Sequence, residues 1–309
     1  MIKKIKILKF IFAGFIAILI FIVLFTKIDP KEVLTVLLSA DIKLLIFAVI
    51  ISVTANIFLA TNKWRIILKE LGCSILFKES LMIMCGSNPV KFILPFKSGE
   101  MIKAIYLQRM GKLSFQYGVI SIILDKVLNF LGLLLLLCIG LIFYRIDSFN
   151  QSVTASSVFG ALFLCSICPQ YFSIDKFRGI GAKGYSSIKQ MVSALGKISS
   201  KQKGKLFLYS MIIQFSGLIN AYISFKAVGV TLPFVGILVF IPIVIVLSNI
   251  PITIFGLGTR EALIVFLFLQ YGPQEKLLSA GILYSFIEHI LPAGIGLFVL
   301  SPFIKKIYK

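Results

Sequence analysis

The chain has 309 residues, of which 59% are hydrophobic and only 14% are charged. A soluble globular protein has about 45–50% apolar and about 25% charged residues, so this composition excludes a fold whose main solvent is water. The net charge of +20 is compatible with nucleic-acid binding, but the lysines and arginines lie in the gaps between apolar runs, as the positive-inside rule predicts. We therefore predict an all-α integral membrane protein with no nucleic-acid partner.

Six apolar runs are long enough to span the hydrocarbon core as helices, which takes about 20 residues. They lie at about 8–26, 42–61, 115–143, 152–169, 206–228 and 277–303. The first run follows four lysines and resembles a signal peptide. No small-x-small cleavage site comes after it, so we expect it to remain as the first span.

Two further apolar regions do not fit a simple span. Ser80–Pro95 is too short and contains Pro89, and Pro233–Gly272 is interrupted by Pro251 and by the glycines of the 256–258 segment. Broken helices occur at membrane depth only where they are buried in protein or line a cavity, because lipid cannot satisfy their backbone groups. We therefore predict two re-entrant helix pairs within a single membrane domain of residues 1–309.

The basic segments fall on one side of the membrane in this topology. They are the N-terminus, the segments 63–78, 97–113 and 170–205, and the C-terminus. The positive-inside rule places this side, and both termini, in the cytoplasm, and we expect the chain to lie in the cytoplasmic (plasma) membrane. A topology of eight plain spans also places both termini in the cytoplasm. The charge pattern therefore does not distinguish it from six spans with two re-entrant pairs.

An internal repeat relates residues of about 42–143 to residues of about 206–303. A shift of about 161 positions places Asn88 on Asn249 and Glu100 on Glu261. Three predicted crossings separate the two copies, and an odd number inverts the second copy relative to the first. Inverted repeats with discontinuous helices are typical of secondary transporters.

Three polar residues lie inside the third predicted long helix, namely Asp125, Lys126 and Asn129. Ionisable groups at membrane depth are costly and often mark a functional site. Asp125 and Asn129 share a helix face, whereas Lys126 points elsewhere, so we expect Asp125 to have another partner. A structural polar clamp between helices remains the alternative.

A second cluster of charges surrounds the first re-entrant region. Glu100 and Lys103 are spaced to pair directly on one helix face. With Lys97 and Arg109 they form either a set of interfacial side chains that attract anionic lipid or a basic mouth for a phosphate head group.

The segment Gly256-Leu257-Gly258-Thr259-Arg260-Glu261 opens a short helix in the second region. A helix N-terminus beside Arg260 suits an anion, although Thr259 could instead be a cap after a glycine turn. Glu288 and His289 of the last helix are expected to complete this cluster. The candidate residues for binding a lipid head group are therefore Asn88, Lys97, Glu100, Lys103, Asp125, Lys126, Asn129, Asn249, Arg260, Glu261 and Glu288.

Enzyme signatures are missing from the sequence. It has a single histidine, no Walker loop and no G-x-S-x-G motif. We expect no catalytic residues, no metal and no cofactor.

The motifs resemble the transmembrane region of lysylphosphatidylglycerol synthase, also called the flippase-like domain family, over nearly the whole chain. The resemblance rests on Asn88-Pro89, Gly99-Glu100, Asp125-Lys126 and the G-x-G-x-R-E element at 256–261. The soluble aminoacyl transferase domain of the full-length synthases is not in this sequence, so the resemblance implies lipid handling and not lysine transfer. The family's E-R-x-x-D pattern reads Asp125-Lys126-Val127-Leu128-Asn129 here, which lacks the second acid.

We expect a lipid translocase or lipid-binding protein that is not an enzyme. Its partner would be an anionic or polyprenyl-linked membrane lipid. One alternative is a membrane-embedded transferase that acts on lipid-linked sugar with Asp125 as its acid or base. Another is a non-transporting scaffold for a lipid-modifying enzyme.

Overall fold

The computed structural model describes residues 2–93, 99–144, 198–249 and 256–308, together with residues 193, 196 and 253. In this part of the chain the regular structure is helical and contains no strand, which confirms the predicted all-α fold. The predicted span 152–169 and most of the predicted loop 170–205 lie outside the described residues.

Within each described stretch, the helices follow one another with short connections. In chain order the described α-helices are α1 (Ile2–Phe25), α2 (Pro30–Leu38), α3 (Ile42–Val53), α4 (Ala60–Glu70), α5 (Phe77–Ile93), α6 (Met101–Arg109), α7 (Phe115–Phe143), α8 (Ser200–Ala227), α9 (Phe234–Ser248), α10 (Thr259–Leu267), α11 (Gln274–Ser285) and α12 (Leu291–Tyr308). A π-helical segment, π1 (Thr54–Leu59), joins α3 to α4, and a second, π2 (Phe286–Ile290), joins α11 to α12. A 3-10 turn at Leu269–Tyr271 follows α10.

Four continuous helical stretches of the described chain are long and apolar enough to cross a membrane. They are Ile42–Glu70, Phe115–Phe143, Ser200–Ala227 and Gln274–Ile307. They confirm four of the six predicted spans as long apolar helices. The predicted end of the second span at residue 61 was wrong, because the helix continues to Glu70. Gly14–Phe25 and Phe234–Ser248 are shorter apolar helices.

Side-chain caps fix where several helices begin. Asp41 accepts hydrogen bonds from the N–H groups of Lys43 and Leu44 at the start of α3. Ser114 and Ser199 cap α7 and α8 in the same way. Each such cap stabilises a helix by about 1 kcal/mol, because it satisfies an N–H that has no partner within the helix.

Helices α5 and α6 form a hairpin whose two outer ends meet. Glu79, in the first turn of α5, accepts hydrogen bonds from Tyr106 Oη and from Lys112 Nζ, which follows α6. At the inner end, a Cβ on Gly99 would lie 2.4 Å from the Val90 carbonyl oxygen, so the turn there has room only for glycine. This is the geometry that a re-entrant pair requires, and the re-entrant assignment itself stays a prediction.

Helices α9 and α10 form a second hairpin that opens toward the other end of α7. Gly236, near the start of α9, faces the hydroxyl of Tyr271, which follows α10. The Tyr271 hydroxyl lies 3.5 Å from that of Tyr144, the residue that ends α7. Because Lys112 of the first hairpin precedes α7, the two hairpins open toward opposite ends of this helix. Opposite entry agrees with the inverted repeat, which also stays a prediction.

Several of the basic segments meet at one end of the bundle. Trp64, Tyr106 and Phe303 share a buried cluster, which brings together α4, α6 and the C-terminal part of α12. Ile198, just before α8, packs in a neighbouring cluster against Ile67. The described parts of the segments 63–78 and 99–113, the start of α8 and the end of α12 therefore lie at the same end of the bundle, which agrees with the charge pattern.

Candidate functional site

A cavity of about 280 Å³ lies between the long helices, at the level of their midpoints. Asn56, Asn129 and Gln214 line it, and each is close to the middle of its apolar helix. The inner ends of both hairpins reach the same cavity through Lys91 and Arg260. Polar side chains at this depth are costly unless they are paired or contact a ligand.

Most of the predicted head-group residues line this one cavity. Those that do are Asn88, Glu100, Lys103, Asp125, Lys126, Asn129, Asn249, Arg260 and Glu288. Lys97 lies outside the described residues. Glu261 is buried beside the cavity lining. The roles of these residues in head-group binding stay proposals.

Asp125 has a partner that the sequence analysis missed. The Lys63 ammonium lies 2.7 Å from Asp125 Oδ1 and donates hydrogen bonds to Asn129 Oδ1 (2.6 Å) and Ser210 Oγ (3.2 Å). Its side chain is completely buried. This network joins α4, α7 and α8, as a polar clamp would.

Lys63 does not stand out in the sequence, because it is the first charged residue after the apolar run 42–61 and resembles the start of a loop. No glycine or proline interrupts residues 61–71, and Gly72 is the first helix-breaking residue after the span. The sequence predicts that Asp125 has a partner, but the charges of residues 63–78 favour a basic loop for the segment that contains Lys63. Continuing the helix to Gly72 would have placed a lysine at membrane depth.

Glu100 pairs with residues other than the one predicted. Its Oε1 lies 2.7 Å from Lys126 Nζ and 3.9 Å from Lys91 Nζ. The predicted direct pair with Lys103 is wrong, because the Lys103 ammonium contacts Met84 Sδ at 3.2 Å and lies 5.5 Å from the centre of the Trp64 ring. Helix α6 turns Lys103 toward α5 and α4, and Lys126 reaches Glu100 from α7.

Arg260 and Glu261 have different roles at the start of α10. Glu261 Oε2 accepts the N–H of Gly258 at 2.6 Å, and its Oε1 accepts a hydrogen bond from Ser285 Oγ. Glu261 is therefore committed to capping α10 and to joining it to α11. Arg260 donates to Ser285 Oγ at 3.1 Å and also lines the cavity.

Glu288 is held by two amides from two other helices. Asn56 Nδ2 donates to its Oε2 at 3.0 Å, and Asn220 Nδ2 donates to its Oε1 at 2.5 Å. None of the ion pairs between described residues includes Glu288. Neutral amides therefore donate hydrogen bonds to both oxygens of this partly buried carboxyl group.

Both π-helical segments meet at this contact, since Asn56 belongs to π1 and Glu288 to π2. π-helical turns are rare and are frequent at functional sites. Pro292 explains π2: it has no N–H to donate to the Glu288 carbonyl, and its ring would clash with that oxygen in a regular α-helix. Nothing in the sequence of π1 explains its π turn.

The cavity has more positive than negative side chains. Its cations, among the described residues, are Lys91, Lys103, Lys126 and Arg260, and its carboxylates are Glu100, Asp125 and Glu288. Lys63, behind the lining, already pairs with Asp125. In the part of the chain that the structure describes, no group of three or more His, Cys, Asp or Glu side chains is arranged to hold a metal ion. The cavity thus favours an anion.

Comparison with known proteins identifies one family. The family model described as the lysylphosphatidylglycerol synthase TM region matches residues 7–296, which is nearly the whole chain. A search of curated proteins gives no match.

Proposed function

The chain belongs to the family of the lysylphosphatidylglycerol synthase TM region, and from this premise we propose that it binds a membrane lipid with a phosphate-containing head group and moves it between leaflets. The head group would occupy the central cavity, and the acyl chains would remain in the bilayer.

The observation that carries this proposal is the surplus of buried cations at mid-membrane depth. Lys103 is almost completely buried and takes part in none of the ion pairs between described residues, and the carboxylates in the cavity are fewer than the cations. Burial of a charge without a counter-charge costs several kcal/mol. A phosphate group would compensate that charge, and lysine and arginine are the usual phosphate ligands.

One side of the cavity is open toward the bilayer. Lys126 and Phe130 lie one turn apart on α7, line the cavity and are about half exposed. A lipid could therefore place its head group beside Lys126 while its chains pass Phe130. Hairpins that open toward opposite ends of α7 support access from both leaflets in turn.

The contacts of Asp125 disfavour the transferase alternative. That alternative needs Asp125 as an acid or base, whereas its carboxylate is engaged by the buried Lys63 ammonium at 2.7 Å. Neither this contact nor the family match favours the scaffold alternative over a translocase.

Leaflet exchange in proteoliposomes tests the proposal. Wild type is compared with Lys126→Gln, using fluorescent phosphatidylglycerol, a polyprenyl-phosphate analogue and zwitterionic phosphatidylcholine. Lys112→Gln is the matched control, because Lys112 also pairs with a glutamate, Glu79, but lies outside the cavity.

We expect wild type to accelerate exchange of at least one phosphate-bearing lipid. Lys126→Gln should slow that exchange by about tenfold, the value of one hydrogen bond to a charged group, and Lys112→Gln should have no effect. Exchange no faster than in empty liposomes for every lipid would refute translocation. Equal losses of lipid exchange in both variants would show that the exchange does not depend on the cavity.

A further inference from the structure

In the contact between Glu288 and Asn220, one polar atom of the Asn220 amide is buried without a partner among the described residues, which a purely structural clamp does not require. Asn220 is completely buried, and its Nδ2 donates to Glu288 Oε1. Its Oδ1 is a buried acceptor with no hydrogen-bond partner among the described residues. A buried amide oxygen without a partner has lost its hydrogen bonds to water, so most proteins avoid one.

Rotation of the Asn220 amide by half a turn would exchange its donor and acceptor. With Nδ2 toward Glu288, the amide stabilises the ionised carboxylate; with Oδ1 toward Glu288, it accepts a hydrogen bond from the protonated acid. Asn56 donates to the other carboxyl oxygen, Oε2, and does not need to move. The site therefore has a hydrogen-bonded arrangement for each protonation state of Glu288.

We propose that Glu288 is a proton-binding site whose occupancy is coupled to the binding of an anionic head group in the cavity. This rests on the proposed function, because the coupling needs a head group beside Arg260. Both Glu288 and Arg260 line the cavity, and their charges interact. A head-group anion would offset the charge of Arg260, which favours a proton on Glu288.

Coupling of this kind is reciprocal. If lipid binding draws a proton onto Glu288, then protonation tightens lipid binding by the same factor. Lipid affinity should therefore rise as pH falls, by up to about tenfold per pH unit for one coupled proton. Movement of the lipid would then carry a proton with it.

Three other ionisable groups of the described residues face or adjoin Glu288. Arg260 comes from α10, Tyr284 from α11, and His289 follows Glu288 in π2. From α3, π1 and α8 the facing groups are the neutral Ser52, Asn56 and Asn220. His289 is the group that ordinarily titrates near neutral pH, so the experiment must separate it from Glu288.

Infrared difference spectroscopy of the purified protein tests proton binding without any lipid. Wild type is titrated between about pH 5 and about pH 9, a range that covers carboxyl groups shifted by burial. We expect a protonated carboxyl band that changes with pH, that is lost in Glu288→Gln and that remains in His289→Gln and in the control Glu275→Gln. A wild-type spectrum without a pH-dependent carboxyl band would overturn the proposal.

A second variant keeps the test decisive if Glu288→Gln does not fold. Asn56→Leu removes one donor to the ionised carboxylate, and we expect the ratio of protonated to ionised Glu288 at a given pH to rise by about tenfold. If Asn56 contributes only to packing, the carboxyl band of Asn56→Leu will be the same as that of wild type. That result would contradict proton binding at Glu288.

Proton uptake on lipid binding tests the coupling. Short-chain phosphatidylglycerol is added to the detergent-solubilised protein in weak buffer with a pH indicator. Uptake by wild type and by His289→Gln, lost in Glu288→Gln, supports the coupling. Binding without uptake would refute the coupling and leave the proposed function intact. A titrating band in a protein that neither binds nor exchanges lipid would refute the proposed function and the coupling together, and would leave only proton binding at Glu288.

Discussion

Lys63 and Asp125 form a buried ion pair in which Nζ and Oδ1 are 2.7 Å apart, although 62 positions separate the two residues in the chain. The pair ties α4 to α7 beside the cavity. Because the lysine is fully buried and the aspartate nearly so, solvent does not screen their interaction as it would at the surface.

Loss of one member of this pair should destabilise the protein strongly. Lys63→Met leaves Asp125 without its counter-charge, and we expect a cost of about 3–5 kcal/mol. Thermal unfolding in detergent measures the change. The double variant Lys63→Met/Asp125→Leu should recover most of the loss, because neither charge remains buried alone.

The Lys112–Glu79 pair provides the control for that measurement, since both of its side chains are partly exposed. Lys112→Met should cost no more than about 1 kcal/mol. A double variant as unstable as Lys63→Met would show that packing, and not the uncompensated charge, causes the loss.

Gly296 should tolerate no larger residue. Pro89 has no N–H to donate to the Cys85 carbonyl, and Gly296 of α12 lies against that oxygen, where a Cβ would be only 2.3 Å away. We expect Gly296→Ala to separate α5 from α12 and to cost about 1–3 kcal/mol in thermal unfolding.

Gly294 is the matched control on the same helix, because a Cβ there would meet nothing within 4 Å. Gly294→Ala should be neutral or stabilising by up to about 1 kcal/mol through helix propensity. Equal effects of the two alanines would contradict the close approach of α5 and α12.

The two hairpins should be accessible from opposite sides of the membrane. Lys112 and Gln270 are exposed residues at the open ends of the first and second hairpins, respectively. We expect Lys112→Cys to react with a membrane-impermeant maleimide only from the cytoplasmic side, and Gln270→Cys only from the other side. Reaction of both from one side would refute opposite entry.

The five native cysteines are first replaced in that experiment. Cys73, in the connection before α5, is buried, and burial raises the pKa of its thiol. The thiolate is the reactive form of cysteine. In a protein that keeps its native cysteines, Cys73 should therefore react slowly with the maleimide at neutral pH. Rapid labelling of Cys73 would indicate that the end of the bundle around Trp64 is open.

The long helices could be predicted because they depend on local composition. Runs such as 115–143 contain enough apolar residues to span a bilayer, and Ser114 marks where that helix begins. Proline and glycine in the two hairpin regions also predicted interrupted helices, and the structure describes two helices in each region, α5 and α6 in the first and α9 and α10 in the second.

The pairing of charges could not be predicted, because it depends on how distant helices are aligned. Glu100 has Lys103 one turn away, yet it pairs with Lys126 of α7. The choice is set by the packing of α6 against α7, where Gly118 lies against Ala104. In the same way, Pro292 predicts an irregular helix, but the local sequence does not predict that Glu288 contacts Asn56 and Asn220.

Photo-crosslinking is the most direct test of the central claim, that a phosphate-bearing head group enters the cavity. Phosphatidylglycerol with a diazirine on its head group is incorporated into proteoliposomes, and the crosslinked peptides are identified by mass spectrometry. We predict crosslinks to the cavity segments around Asn129 and Gln214, reduced about tenfold in Lys126→Gln and unchanged in Lys112→Gln. Crosslinks confined to lipid-facing residues such as Phe298, or to the basic end of the bundle, would contradict it.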